Sequence, residues 1–81
     1  MKKKSEIDEQ VKKILFKVLK ISKKEFKENI GAFNNPKWDS MNHLEIIVSL
    51  EKNFNIKFNQ NEISKLDCYK SIIKILKKKL N

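Results

Sequence analysis

The sequence predicts an all-α fold, a bundle of three longer helices and one short helix with a long loop between the first and the second. Apolar residues recur at helical spacing in three separate segments of the 81-residue chain. The only proline and the only glycine both fall in one connection, which leaves those segments uninterrupted. A chain of this length forms one small domain, residues 1–81, with a modest core.

The first helix is predicted over residues 7–19. Ser5 suits a helix start, and the acids Glu6, Asp8 and Glu9 suit a first turn. A basic amphipathic helix of this kind either packs in the bundle, which is the commoner outcome, or lies on an anionic membrane. Its apolar stripe consists of Ile7, Val11, Ile14, Leu15 and Val18, widened by Phe16 and Leu19.

Residues 22–38 form a long connection. Ser22 and Glu25 have the spacing of a capping box, so we expect one helical turn through Phe26 before the chain loosens. The turn residues at 34–36 then indicate a loop. A connection this long is usually functional or held in place by its own side chains. The side chains expected to hold it are Phe26, Ile30, Phe33 and Trp38.

The second helix is predicted to begin at or beside Ser40, with Asp39 as a good N-cap residue. The Ser40 hydroxyl then lies at the positive end of the helix dipole beside unpaired N–H groups, a favourable place to hold a phosphate. An ordinary helix-capping serine is the alternative. The expected packing stripe is Leu44, Ile47, Val48 and Leu50 with Phe54 beyond it, and Asn42, Glu45, Ser49 and Lys52 are expected in solvent.

In the last third of the chain, the sequence predicts an extended segment followed by two more helices. Residues 54–58 alternate like a strand, but no partner strand exists, so we expect an extended segment held by its aromatic side chains. Residues 62–66 leave room for a short helix. The final helix has Asp67 or Cys68 near its start and the apolar positions Tyr69, Ile72, Ile73, Leu76 and Leu80.

The net charge of +9 comes from lysine alone on the basic side. A chain without arginine lacks the bidentate fork most often used to read guanine or to clamp phosphate. Abundant lysine, asparagine and isoleucine together are typical of an A/T-rich genome; a functional basic surface is the alternative. Residues 38–51 carry −3 and the rest of the chain +12, so the Ser40 region is an acidic island.

The cysteine count indicates neither a disulfide nor a metal site. Cys68 is the only cysteine, and no Cys/His spacing suits zinc. The charged N-terminus lacks the apolar run of a signal peptide, and the longest apolar runs have three residues. We therefore expect a cytoplasmic protein, with Cys68 as a small, half-buried residue near a helix start.

Residues 38–54 read W-D-S-M-N-H-L-E-I-I-V-S-L-E-K-N-F, a string that resembles the modification site of acyl carrier proteins in their W-D-S-[LM] branch. In that family a D-S-L motif precedes a helix that ends in a leucine, acidic residues and a phenylalanine. Met41 stands for the usual leucine, and Trp38 for a frequent glycine. The order of the helices resembles the acyl carrier four-helix bundle as well, so the resemblance covers about residues 7–77.

This resemblance implies a role for Ser40. A separate phosphopantetheinyl transferase would move 4'-phosphopantetheine from coenzyme A onto its hydroxyl and make the chain a phosphoprotein, with Asp39 helping the transferase recognise its target. The thiol of the attached group would hold acyl or aminoacyl groups as thioesters for loading and accepting enzymes.

The resemblance also implies a surface for those enzymes. Met41 and Val48 would face partners, although both could simply be core residues at helical spacing. Glu45 and Glu51 would contact basic patches on the enzymes, although acids on a helix are ordinarily a solvated face.

Asp39, Ser40 and His43 look superficially like a hydrolase triad, since Ser40 and His43 are one helical turn apart. Asp39 is adjacent to the serine in sequence, however, and no glycine-rich loop nearby supplies an oxyanion hole. We therefore predict a carrier and not an enzyme, with His43 facing solvent.

The motif also bears on the pathway. The absence of G-G-x-S favours an acyl carrier over a peptidyl carrier. The W-D-S-[LM] form resembles carriers of specialised lipid, modified-sugar or secondary-metabolite biosynthesis more than the highly acidic housekeeping carrier of fatty-acid synthesis; a D-alanyl carrier, whose motif can read D-S-M, stays open. We expect a monomer with no nucleic-acid or membrane partner. The alternative is a small basic helical protein that binds nucleic acid or anionic lipid.

Overall fold

The computed structural model describes residues 4–80, and the side chains of residues 6–80. It contains the helices α1 (Lys4–Leu19), α2 (Ser40–Phe54), α3 (Gln60–Lys65) and α4 (Tyr69–Leu80). The predicted all-α fold, with three longer helices and one short one in the expected order, is confirmed. The charged segment 1–3 and the Ser5 side chain lie outside the described residues. Within residues 4–80 no helix has the length and apolar character needed to cross a membrane.

The core lies where α1 packs against both α2 and α4, while α3 packs against α4. Burial of apolar side chains is the main term that stabilises such a bundle. α3 has no fully buried residue, but its half-buried Ile63 packs against the core, and the buried Phe58 and Leu66 flank it. The buried side chains are Ile7, Val11, Leu15, Leu19, Ile21, Ile30, Trp38, Ile46, Ile47, Leu50, Phe54, Phe58, Leu66, Tyr69, Ile72, Ile73 and Leu76.

The connection after α1 starts with the predicted capping-box pair. The Ser22 N–H donates to the Glu25 carboxylate at 2.9 Å, and the Glu25 N–H donates to the Ser22 hydroxyl at 3.3 Å. The Ser22 carbonyl accepts from the Glu25 and Phe26 N–H groups at 3.1 and 3.2 Å, so a single hydrogen-bonded turn extends through Phe26, as expected, and no longer helix forms. Phe26 follows, and its ring packs edge-on against Phe16 and Tyr69 with centroid distances of 5.7 and 5.0 Å.

Two of the loop residues expected to be anchors are deeply buried, and one is not. Ile30 and Trp38 are each 3% exposed, whereas Phe33 is 75% exposed, so the prediction for Phe33 was wrong. The Asn34 side chain accepts from the Gly31 N–H at 3.0 Å and closes a tight turn around residue 33. That turn leaves the Phe33 ring outside the core.

The same loop pairs with the connection between α3 and α4 through a single antiparallel bridge of Gly31 with Cys68. The Ala32 N–H donates to the Asp67 carbonyl at 2.8 Å, and a second backbone hydrogen bond of 2.9 Å flanks the bridge. A Cβ on Gly31 would lie 2.7 Å from the Cys68 Cβ and 2.8 Å from the Asp67 oxygen. Glycine is therefore required for this close approach.

α2 ends at Asn55, which adopts the left-handed conformation with a φ of 54°. Residues 56–59 belong to no helix or strand, and Phe58 is buried. The extended segment was predicted over residues 54–58, but Phe54 is the last residue of α2. α3 then begins at residue 60, two residues before the predicted start at 62, because Asn59 and Glu62 form a reciprocal capping box.

Candidate functional site

Ser40 is the first residue of α2, and Asp39 is the N-cap. The Asp39 carboxylate accepts from the Asn42 N–H at 2.9 Å, and the Asp39 carbonyl accepts from the His43 N–H at 2.8 Å. Both Asp39 and Ser40 are exposed. The cap therefore fixes where the helix begins, and the Ser40 hydroxyl stays reachable from solvent.

Two further backbone donors remain at this helix end. Within residues 4–80 the N–H groups of Ser40 and Met41 have no acceptor, unlike those of Asn42 and His43. Free N–H groups and the positive end of the helix dipole together favour a bound or attached anion. The site thus fits a phosphate group on the Ser40 hydroxyl.

An open groove of 590 Å³ lies beside Ser40. It is bounded by the loop, the first turns of α2, and residues from α3 and the segment after it. Ala32, Trp38 and Leu44 supply its apolar wall, and Asp39, Ser40, His43, Ser64 and Asp67 supply its polar groups. A group attached at Ser40 would have both kinds of surface within reach.

His43 lies at the edge of this groove, and both of its ring nitrogens have partners. The Trp38 Nε1–H donates to His43 Nδ1 at 3.2 Å. Because Nδ1 is then the acceptor, the proton of the neutral ring is on Nε2, which donates to the Ile63 carbonyl at 3.0 Å. We call this chain of two hydrogen bonds the Trp38–His43–Ile63 bridge.

The two hydrogen bonds of His43 bear on its predicted exposure to solvent and on the possible catalytic triad. His43 is half-buried and bonded at both ends, so the prediction that it faces solvent was wrong. Neither nitrogen is directed at Ser40, and the Asp39 carboxylate is engaged with a backbone N–H. The residues of a triad are close in sequence here without forming one.

The outer face of α2 carries an apolar strip, which we define as Met41, Leu44 and Val48. Their exposed fractions are 74%, 59% and 48%. The prediction that Leu44 and Val48 belong to the packing stripe was therefore wrong, and the fully buried Ile46 was missed. Glu45 and Ser49 border the strip, which lines a shallow groove of 350 Å³. Exposed apolar residues grouped in this way are typical of a surface that contacts other proteins.

The two acids of α2 that the sequence singled out have different surroundings. Glu45 is exposed beside the apolar strip and has no ion pair within the described residues. Glu51 is half-buried, and its carboxylate accepts from the Phe58 N–H at 2.9 Å. Glu51 thus stabilises the segment after α2 as well.

One lysine, Lys37, lies close to the site in sequence. Its ammonium lies 3.6 Å from the Glu25 carboxylate and donates to the Lys20 carbonyl at 3.3 Å. The hydrogen bond from the Ser22 N–H, and then the Lys37 charge, lower the pKa of Glu25. Lys37 is therefore held to the loop by these contacts.

Cys68 does not line the groove beside Ser40. Cys68 is half-buried near the start of α4, as expected, and its thiol donates to the Ser71 hydroxyl at 3.2 Å. In the described part of the chain no group of three or more His, Cys, Asp or Glu side chains is arranged to hold a metal ion.

Comparison with known proteins gives relatives of a single name. No family model matches the chain. It is 29% identical over 73 residues to the acyl carrier protein of Buchnera aphidicola subsp. Acyrthosiphon pisum (strain APS), covering 90% of this chain and 91% of the relative. The acyl carrier protein of strain 5A is 27% identical over the same span. Together with the all-helical fold, these relatives support assigning the chain to the acyl carrier protein family.

Proposed function

We propose that Ser40 is the attachment site of 4'-phosphopantetheine and that the chain carries acyl or aminoacyl groups on it. The general role, a carrier and not an enzyme, agrees with the name of the relatives. The observation that carries the proposal for Ser40 is its place as an exposed first residue of α2, beside two backbone N–H groups without acceptors in the described part of the chain.

The modification uses the hydroxyl of Ser40. Its oxygen loses a proton and forms a phosphodiester with the phosphate of phosphopantetheine, while adenosine 3',5'-bisphosphate leaves coenzyme A. A separate phosphopantetheinyl transferase supplies the catalytic groups. The N–H groups at the start of α2 stabilise the phosphate, and Asp39 orders the helix start. Once attached, the group provides a thiol that holds the cargo as a thioester.

Partner enzymes would dock on the outer face of α2. Met41 and Val48 offer exposed apolar area, and Glu45 beside them offers a negative charge without an internal ion pair in the described residues. Apolar contact favours affinity, and charge complementarity favours association rate and specificity. We include Glu51 at the margin of this surface, although its carboxylate also binds the Phe58 N–H.

We further propose a monomeric cytoplasmic carrier of a specialised biosynthetic pathway, with a D-alanyl carrier as the alternative within the family. The support is the W-D-S-M form of residues 38–41 together with the net charge of +9, which differs from the highly acidic character of housekeeping carriers.

Co-expression with a broad-specificity phosphopantetheinyl transferase tests the assignment of Ser40. The wild-type protein should gain the mass of one phosphopantetheine, and Ser40→Ala should gain none. Ser64→Ala is the matched control, because Ser64 lines the same groove and its hydroxyl is directed to the Asn61 carbonyl. Equal modification of Ser40→Ala and the wild type, or no modification of either, would show the assignment to be wrong.

A second candidate function, binding of nucleic acid or anionic lipid, rests on the excess of lysines over acidic residues. Residues outside 38–51 carry +12, and in the part of the chain that the structure describes Lys37 and Lys79 alone form ion pairs. Binding to duplex DNA that weakens steeply with salt would favour this function over the carrier role.

A further inference from the structure

Two side-chain hydrogen bonds join the chain before Ser40 to the chain after it. The Asn42 side-chain amide donates to the Lys37 carbonyl at 2.6 Å, and the Trp38 Nε1–H donates to His43 Nδ1 at 3.2 Å. Each bond connects a loop residue to the residue five positions later on the first turn of α2. We call these two bonds the Ser40 clamp. Ser40 therefore lies within a short segment whose two ends are joined twice.

The two bonds of the Ser40 clamp lie on different sides of Asp39. Asp39 borders both the open groove of 590 Å³ and a second groove of 400 Å³. Trp38 and His43 line the first groove, and Lys37 and Asn42 line the second. Because the restraints act from two sides, they fix the orientation of the N-cap residue as well as its position.

The bond on the side of the larger groove satisfies a buried donor. The Trp38 side chain is 3% exposed, and His43 Nδ1 is the acceptor of its indole N–H. A buried donor without an acceptor is costlier than the net value of the hydrogen bond itself. Without this acceptor the indole would shift to bring its N–H to water, and Asp39, the next residue in the chain, would shift with it.

The bond on the other side connects α2 to the contacts near the end of α1. The Lys37 carbonyl can only accept, so the Asn42 group that meets it is the side-chain NH₂. The Lys37 ammonium is bound in turn to the Lys20 carbonyl and the Glu25 carboxylate. Asn42 thus ties the start of α2 to a loop residue that is itself held in place.

Ser40 has no side-chain restraint of its own. Within the described residues its hydroxyl makes no hydrogen bond, so its position depends on the backbone on either side. Transfer requires the Ser40 oxygen to meet the phosphorus of coenzyme A in line, while the N–H groups of Ser40 and Met41 face the phosphate. The first turn of a helix frays readily. A fixed segment keeps the hydroxyl in the reactive position for a larger fraction of the time.

We propose that Asn42 and His43 are positioning residues for the modification of Ser40, and that either bond of the Ser40 clamp is enough to hold the hydroxyl in place for the transferase. This inference rests on the proposed function of Ser40. Both side chains act through the backbone of residues 37–39 and exchange no proton with the reacting atoms. Since each bond compensates for the other, removing both has a larger effect than the two single losses combined.

Three substitutions separate the two bonds. Asn42→Ala removes the bond to Lys37, and alanine's higher helix propensity preserves α2. His43→Gln removes the bond to Trp38, because its amide reaches the position of Nε2, donates to the Ile63 carbonyl and places no acceptor at Nδ1. His43→Asn is the matched control, since its shorter amide places an oxygen at Nδ1 that accepts from Trp38.

The experiment measures single-turnover transfer from coenzyme A by a broad-specificity phosphopantetheinyl transferase. Asn42→Ala and His43→Gln should each keep the maximal rate within about twofold of the wild type, and the double variant should lose roughly tenfold. Replacing His43→Gln by His43→Asn in the Asn42→Ala background should restore most of the rate. The amides of Asn42 and His43, which bond to Asp39, should exchange faster in the first double variant than in the wild type.

The carrier concentration at half-maximal rate distinguishes positioning from lost stability. It should stay unchanged in the double variant, because the outer face of α2 is intact. Partial unfolding would instead raise this concentration and leave the maximal rate at saturation as it was. Asn42→Ala with Trp38→Phe removes the same two bonds from the loop side, and it should show the same loss of maximal rate even if the first double variant does not fold.

Three outcomes would overturn the roles of Asn42 and His43. They are a double variant as fast as the wild type, a double loss equal to the product of the single losses, and equal maximal rates for His43→Gln and His43→Asn in the Asn42→Ala background. Failure of the proposed function looks different, because the wild-type protein would then accept no phosphopantetheine, while amide exchange would still report on the Ser40 clamp.

Discussion

At the scale of single residues, Gly31 holds the loop before Ser40 against the connection between α3 and α4. A Cβ there would lie 2.7 Å from the Cys68 Cβ, so Gly31→Ala forces the two segments apart. We expect Gly31→Ala to lower the free energy of unfolding by about 1–3 kcal/mol, measured by urea denaturation. Ala32→Ser is the control, since the Ala32 side chain is exposed. Equal stability of the two variants would contradict the steric explanation.

Tyr69 gives a prediction in alkaline solution. Burial, and then the negative charges of Asp8, Glu28 and Glu9, raise its pKa to about 12. An unfolded tyrosine has a pKa of about 10. As pH rises between these values the unfolded chain loses a proton that the folded chain keeps, so the free energy of unfolding should fall.

Tyrosinate absorbance tests this prediction, because Tyr69 is the only tyrosine. The titration midpoint should be higher in buffer than in concentrated urea. Tyr69→Phe should lose the part of the alkaline destabilisation that the Tyr69 hydroxyl causes. A midpoint that urea leaves unchanged would mean that burial does not act on this hydroxyl.

The contacts of individual side chains were the features that the sequence predicted least well. The Asp39 cap follows from residue type and position alone. His43 was expected in solvent because its partners are five and twenty residues away, and nothing local indicates either of them. Phe33 was expected to be buried because it is aromatic, but its position is decided by the turn that Asn34 closes around it.

At the scale of elements, α2 shows what helical periodicity can and cannot predict. Its existence and its start follow from the cap and from the uninterrupted apolar spacing. Its packing face does not follow, because apolar residues lie on more than one side of this helix. Packing in the core buries Ile46 and leaves Leu44 and Val48 exposed.

α3 is short enough for its capping box to govern its stability. The hydrogen bond from the Asn59 N–H, and then Lys79, lower the pKa of Glu62 from its ordinary value of 4.5. A lowered pKa means that the stabilisation is present above the ordinary value and is lost as pH falls through the pKa of the folded state. We expect the amide protection of α3 to decline in that acidic range.

Glu62→Gln separates this effect from general acid unfolding. The glutamine oxygen can still accept from the Asn59 N–H, but it does not titrate and forms no ion pair with Lys79. Hydrogen exchange should show weaker protection of α3 in this variant near neutral pH, with little further decline on acidification. A decline as steep as in the wild type would assign the acid sensitivity to another group.

At the scale of the whole molecule, the helix order and the charge distribution were both readable from the sequence, since they depend on composition and spacing. The contacts that hold the site together were not. The bridge of Gly31 with Cys68 and the bond of His43 to Ile63 join segments far apart in the chain. Such pairings are decided by the packing of the helices and not by local propensity.

The charge distribution leads to a prediction about salt. A net charge of +9 makes the folded state repel itself, and ion pairs within residues 4–80 offset only part of this repulsion. Raising sodium chloride from about 0.01 to about 0.15 M shortens the screening length from roughly 30 to roughly 8 Å, so the melting temperature should rise.

A double variant, Lys23→Glu with Lys57→Glu, separates charge screening from other effects of salt. Both lysines are exposed and form no ion pair in the described part of the chain, so their replacement lowers the net charge without removing such a contact. The variant should melt higher than the wild type at low salt and gain less from added salt. If both proteins gain equally, the salt acts through burial and not through charge. The same screening would slow the encounter of Glu45 with a basic partner, so stability and partner association should respond to salt in opposite directions.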